Sequence, residues 1–207
     1  MEQLAKTPRR MDRHARREQL IECAVSVYAD QGVTGATHTE VADRANVSIA
    51  TVFAYFPTKS ELSNAVLCAV ENVLWNIVDH VQKSRHDVPE TFLRNYQRFT
   101  ETVATHPNHI RIWLVWGTAI NDQHWPRYLK LQDKMISAHT KVLKKGQRQG
   151  TIDNNVDVDD AARMLVANSH MVALMIFSGI ERPRMDRYIE HILESSLSLR
   201  VSQQTLG

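Results

Sequence analysis

Residues 38–62, HTEVADRANVSIATVFAYFPTKSEL, hold two short helical patterns with so little chain between them that the backbone has to turn a tight corner. In 39–45, Val41, Ala42 and Ala45 fall on one face. In 48–56, Ile49, Val52, Phe53 and Phe56 recur at i, i+3, i+4 and i+7, and the expectation is that this apolar face turns inward. Thr39 is placed to cap the first helix and Ser48 the second, Ala45-Asn46-Val47 makes the corner, and Pro57 stops the second helix after Phe56. The pattern is helix, turn, helix.

The other face of the second helix carries Ala50, Thr51, Ala54 and Tyr55. Side chains this small let a helix backbone enter a major groove, where methyl groups meet thymine methyls and hydroxyls reach base edges or phosphates. With Thr39, Ser48 and Ile49 at the helix starts and Lys59 just beyond, they form the candidate DNA-contact set. Two short amphipathic helices joined by a turn also occur in proteins that never meet nucleic acid, so the charge around them matters. Net charge is only +2, but residues 1–17 carry Lys6, Arg9, Arg10, Arg13, Arg16 and Arg17 against Glu2 and Asp12. Residues 1–12 read as a basic arm from which Arg9 and Arg10 can enter a minor groove, and Arg13, Arg16 and Arg17 open the first helix facing phosphates or solvent.

The remainder is helical throughout. Only 7 Gly and 6 Pro in 207 residues leave few breaks, and no strand-like alternation persists. Helices are expected over about 13–31, with Gly32 as a left-handed exit, then 59–83, 90–105, 109–120, 127–148, 157–178 and 184–201. The fold class is all-α, about nine helices: a three-helix head in residues 1–57 and a helical regulatory and dimerisation domain in 58–207. The 109–120 helix is apolar on nearly every side and is expected at the centre of the second domain. The last two helices carry more apolar surface than one chain can cover, which points to a homodimer through an isologous four-helix bundle. A two-fold dimer in turn suits an inverted-repeat, double-stranded DNA operator.

Trp75, Val78, Trp113, Trp116, Gln132, Met135, Asn168 and Ser169 are the candidate lining of a cavity for a small, mostly apolar ligand, although a Trp and Met stripe also builds plain core. No metal site is expected, because Pro107 between His106 and His109 spoils a shared helical face and no thiol or carboxylate cluster completes one. No cofactor or catalytic motif is recognisable, so no enzyme is expected. Cys23 and Cys68 sit among apolar neighbours as small buried hydrophobes. No run is long and apolar enough for a membrane span and the N-terminus lacks a signal-peptide core, so the expected location is the cytoplasm.

The string VSIATVFAYFPTKSEL resembles the signature of the TetR family of transcriptional regulators, in which a turn, a short recognition helix, a Tyr-Phe pair and a charged helix start follow in this order. NHIRIWLVWGTAINDQHWP, with its Trp-x-x-Trp helix and Trp-Pro, is similar to the quorum-sensing master regulators of the Vibrio LuxR/HapR/SmcR type. The resemblance implies an operator-binding homodimer, a helical ligand-binding domain and a role in quorum sensing. Ala54 departs from the polar Asn that this group usually carries there, and an amide pairs with base edges in a way a methyl cannot. A helical carrier or scaffold without DNA function is the alternative; it leaves the arginine arm and the small-residue face without a purpose.

Overall fold

Side-chain caps set the start of most helices in this chain. The computed structural model describes residues 11–198, leaving aside the side chains of Val33, Thr34 and Ser198. Arg9, Arg10 and the end of the last expected helix therefore lie outside the described residues. Nine helices are found among them and no strand: α1 Arg13–Gly35, α2 His38–Ala45, α3 Ile49–Tyr55, α4 Lys59–Lys83, α5 Val88–Thr105, α6 Pro107–Trp116, α7 Trp125–Arg148, α8 Val158–Phe177 and α9 Arg182–Ser198. The chain forms two compact units, one ending at Ala69 and the other beginning at Val70, so α4 contributes residues to both.

In the first unit, Leu20, Ala24, Val27 and Tyr28 of α1 are buried together with Val41, Val52, Phe56, Leu62 and Val66. The Tyr28 hydroxyl and the Ser63 hydroxyl share a 2.9 Å hydrogen bond within this core. Asp12 caps α1 by accepting from the Ala15 amide at 2.8 Å. Gly32 interrupts α1 with φ 79°, ψ 170°, a conformation that side-chain-bearing residues avoid, and a short turn continues to Gly35.

The cap of α2 differs from expectation. Thr37, not Thr39, is the N-cap: its hydroxyl oxygen accepts from the Glu40 amide at 3.3 Å, and the Thr37 amide donates back to the Glu40 carboxylate at 2.9 Å. A threonine followed three residues later by glutamate closes both bonds at once; three residues after Thr39 stands Ala42, which cannot. Asn46 ends α2 in the left-handed region, φ 51°, ψ 52°, and its amide returns to the last turn. Ser48 caps α3 as the sequence implies.

The inward face of α3 is narrower than its apolar pattern. Val52 and Phe56 are buried, but Ile49 and Phe53 are 42% and 46% exposed. They lie roughly 60° and 100° around the helix axis from Val52, off the ridge that a seven-residue helix can bury. Phe53 instead stacks on the His38 ring, with centroids 4.2 Å apart and planes 6° from parallel.

In the second unit α8 packs against α5, α7 and α9, and α5 also against α9. Asp87 and Asp157 cap α5 and α8 through backbone amides. A two-pronged ion pair, Arg127 to Glu71 at 2.7 and 2.8 Å, ties α7 to α4. The Tyr96 hydroxyl donates to the Leu165 carbonyl at 2.9 Å across α5 and α8. Helix α6 is shorter and less enclosed than expected: it ends at Trp116, and although Ile110, Ile112, Trp113 and Trp116 are buried, Val115 and the downstream Ile120 face outward. Its outward side also holds Arg111, whose guanidinium lies 5.2 Å from the Phe177 ring centroid. The bends after Gly117 bring the His124 carbonyl 3.0 Å from the Trp116 indole N–H. Cys23 is half-buried and Cys68 exposed, so neither is the fully buried thiol that its neighbours suggest.

His139 is buried against Phe92, and one ring nitrogen lies 2.8 Å from the Met135 carbonyl. Burial holds its pKa down to about 4, with the backbone bond opposing the shift. The unfolded chain takes up this proton near pH 6.5, so the stabilisation is present above about 6.5 and is lost as pH falls towards 4.

Two outcomes follow. Thr37→Ala lowers stability by about 1 kcal/mol in chemical denaturation while Thr39→Ala leaves it unchanged; equal effects overturn the cap assignment. Between pH 7 and 4, the wild type loses about 3 kcal/mol more than His139→Phe; parallel stability curves overturn the role given to His139.

Candidate nucleic-acid interface and ligand cavity

The solvent face of α3 brings together Ser48, Ile49, Ala50, Thr51, Ala54 and Tyr55, with Thr51 and Tyr55 half-buried and the others exposed. The Ser48 hydroxyl both accepts from the Thr51 amide at 3.2 Å and lies 2.9 Å from the Thr51 hydroxyl, so the two hydroxyls are oriented together at the start of the helix. Thr39 is exposed on α2, Lys59 at the first residue of α4 and Arg13 in the first turn of α1. The neighbouring arginines are engaged: Arg16 donates to Gln19 at 2.6 Å, and Arg17 lies over the Phe56 ring at 5.3 Å from its centroid.

Two residues that hold this surface in place are not singled out by the sequence pattern. His38 Nε2 lies 2.8 Å from the Phe56 carbonyl, so the first residue of α2 ties down the last carbonyl end of α3. Arg44, in the last turn of α2, reaches Asp30 at 3.0 Å and also the Ser26 hydroxyl on α1. Neither contact has a periodic signature, because each joins residues 14 or 18 positions apart.

Within the second unit, Val78, Trp113, Met135 and Ser169 line one interior cavity together with Asn95, Phe99 and His139. Its volume is about 20 Å³, room for a single water. The other four expected residues lie elsewhere. The Lys134 ammonium sits 3.6 Å from the Trp75 ring centroid in an open groove beside Arg127. Trp116 is enclosed core, Gln132 is half-buried away from the lining, and Asn168 accepts from the Tyr188 hydroxyl at 2.5 Å while donating to the Met164 carbonyl at 2.8 Å.

The residue that pattern reading misses is Asn95, only 8% exposed, on the inner face of α5. Its side-chain oxygen and the Trp113 indole N–H, both on the cavity wall, have no hydrogen-bond partner among the described residues. The hydroxyls of Thr140 and Ser196 are likewise unpartnered, but neither lines this cavity. A buried polar atom without a partner costs about 1–3 kcal/mol, which makes the cavity wall a place where a ligand with polar atoms gains. Beside it, His170 lies with its ring 3.8 Å from that of Trp113 and its Nε2 3.1 Å from the Tyr128 hydroxyl, and burial lowers its pKa to about 4. Among the described residues no group of three or more His, Cys, Asp or Glu is placed to hold a metal ion, and no helix is long and apolar enough to cross a membrane.

Residues 20–66 match the family model described as bacterial regulatory proteins, tetR family. The chain is 25% identical over 201 residues to the HTH-type transcriptional regulator LuxR of Vibrio harveyi, covering 96% of each chain. It is 31% identical over 143 residues to the HTH-type transcriptional regulator BetI of Burkholderia lata, covering 65% of this chain and 73% of that one. A TetR-like transcriptional regulator from Rhodococcus sp. RHA1 shares the fold, with a TM-score of 0.72 at 21% identity over 91% of this chain and 98% of that one. The capped two-helix corner agrees with these relatives' shared description as helix-turn-helix regulators, and the chain belongs to the TetR family of bacterial transcriptional regulators.

Proposed function

We propose that the protein is a homodimer that binds an inverted-repeat operator, with residues 1–57 reading DNA and residues 58–207 supplying the dimer surface and a ligand cavity. The observation that carries the reading is the solvent face of α3, where Ala50, Thr51 and Ala54 stand clear of the core while Val52 and Phe56 hold the helix from beneath. A face with such short side chains lets the helix backbone approach base edges closely. Arg9, Arg10, Arg13 and Lys59 add phosphate or minor-groove contacts, and Thr39, Ser48, Ile49 and Tyr55 border the reading face.

The dimer is supported by α8 and α9, which pack on each other yet leave Met171 and Leu174, the latter 48% exposed, facing outward. Two copies of that surface, related by a two-fold axis, would cover it and set two α3 helices about one DNA turn or a multiple of it apart. The unpartnered Asn95 and Trp113 atoms support a small ligand in the second unit. The likeness to the Vibrio quorum-sensing regulators extends the proposal to genes governed by cell density, with Ala54 changing the operator that is read.

Selection from a random DNA pool is expected to enrich a palindrome whose affinity falls steeply between two salt concentrations. Thr51→Ala weakens binding to the winner by about 1–3 kcal/mol and Tyr55→Phe also weakens it, with thermal stability retained. Leu174→Glu yields monomers by sedimentation and weak operator binding. No enriched palindrome, or unchanged affinity in both α3 variants, overturns the reading.

A further inference from the structure

The end of α4, the loop after it and the outer side of α5 enclose an open cleft of about 530 Å³ within the second unit. Lys83, Arg85, Arg94 and Arg98 line it, with Glu101 as the carboxylate in the wall. Two of the four cations are already paired, Lys83 with Asp79 and Arg94 with Glu90. The guanidinium groups of Arg85 and Arg98 have no hydrogen-bond or ion-pair partner among the described residues. A cleft lined by an excess of one charge concentrates counter-ions, and unpaired guanidinium forks suit the two oxygens of a phosphate or carboxylate.

Asn95 connects this cleft to the interior. It lies between Arg94 and the rest of that α5 face in sequence and is a wall residue of both the basic cleft and the apolar cavity beside Trp113. Its side-chain oxygen is the buried, unpartnered atom at that shared wall. Asn95 is thus common to a cationic exterior and an interior lined by Val78, Phe99 and Met135.

Resting on the ligand reading above, we propose that the cleft holds the anionic head, phosphate or carboxylate, of an amphipathic small molecule whose apolar end passes Asn95 into the cavity. The cavity's 20 Å³ holds no alkyl chain as it stands, so entry requires the unbranched Met135 side chain to repack and the Asn95 carboxamide to swing aside, its oxygen turning to accept from the Trp113 indole N–H so that the tail meets neither unpartnered atom. The head is held by charge and by hydrogen bonds in the open cleft, the tail by removal from water.

The test is calorimetric titration of the full chain, followed in parallel by tryptophan fluorescence, with octyl phosphate, octanoate, octanol and inorganic phosphate. The wild type is expected to bind octyl phosphate or octanoate at least roughly tenfold more tightly than octanol or inorganic phosphate, and whichever head is preferred names the anion. Arg85→Gln combined with Arg98→Gln weakens the charged amphiphile roughly ten- to a hundredfold and leaves octanol unchanged. Both arginines are exposed, and circular dichroism checks that the double variant is folded. Octanol bound as tightly as octyl phosphate and octanoate, inorganic phosphate bound as tightly as either, no binding by either amphiphile, or an unaffected double variant overturns the inference. Operator binding is measured on the same preparations without probe: intact operator binding beside a failed probe series overturns this inference alone, whereas a wild type that enriches no operator overturns the reading beneath it.

Discussion

A helix of seven residues does not hold itself together in water, and α3 is that short. Its persistence depends on ties at both ends and one buried side in between. Ser48 accepts from the Thr51 amide in the first turn, Val52 is anchored in the core, and the Phe56 carbonyl meets His38. Helix α2, only one residue longer, relies on the reciprocal Thr37–Glu40 bonds. Because the contacts that hold α3 lie at its ends, underneath and along the flank where Phe53 stacks on His38, its outer face is released from structural duty and can carry alanine and threonine.

What the sequence made legible was chemistry that acts within one turn. Ser48, Asp157, Pro57 and the apolar stripes of α4, α5 and α7 place helices through bonds between near neighbours, and periodicity reports them directly. Thr39 reads as a cap from its residue type alone, but the glutamate at position 40 gives the capping box to Thr37. Phe53 looked like core because it is apolar, yet its environment is set by the His38 ring fifteen residues away. Among the cavity candidates, Val78 and Met135 follow from their stripes. Trp75 does not, since one step around α4 from Leu74 moves its ring out to Lys134.

The interior of the second unit separates into satisfied and unsatisfied polar groups. Tyr96, Trp116 and His139 each spend a hydrogen bond on a backbone carbonyl, Tyr96 tying α5 to α8, Trp116 holding the turn before α7 and His139 staying within α7. Asn95 and Trp113 have no such outlet on the cavity wall. Bulk and aromaticity, which are visible in a sequence, do not distinguish these two kinds of buried residue; the distinction arises only from which donors and acceptors the packing brings within reach. Asn95 was overlooked because an asparagine next to Arg94 reads as surface.

The corner between α2 and α3 has a consequence for how the protein can vary. Asn46 holds a positive φ without being glycine, and it is the one such residue among those described. Asparagine, aspartate and glycine enter that conformation readily, whereas branched side chains strain it by about 1 kcal/mol or more. Position 46 is exposed, so nothing about burial protects it from drift. The choice of residue at this position is thus weighted by a backbone torsion alone, whereas Ala45 beside it is held by burial and Val47 by partial burial.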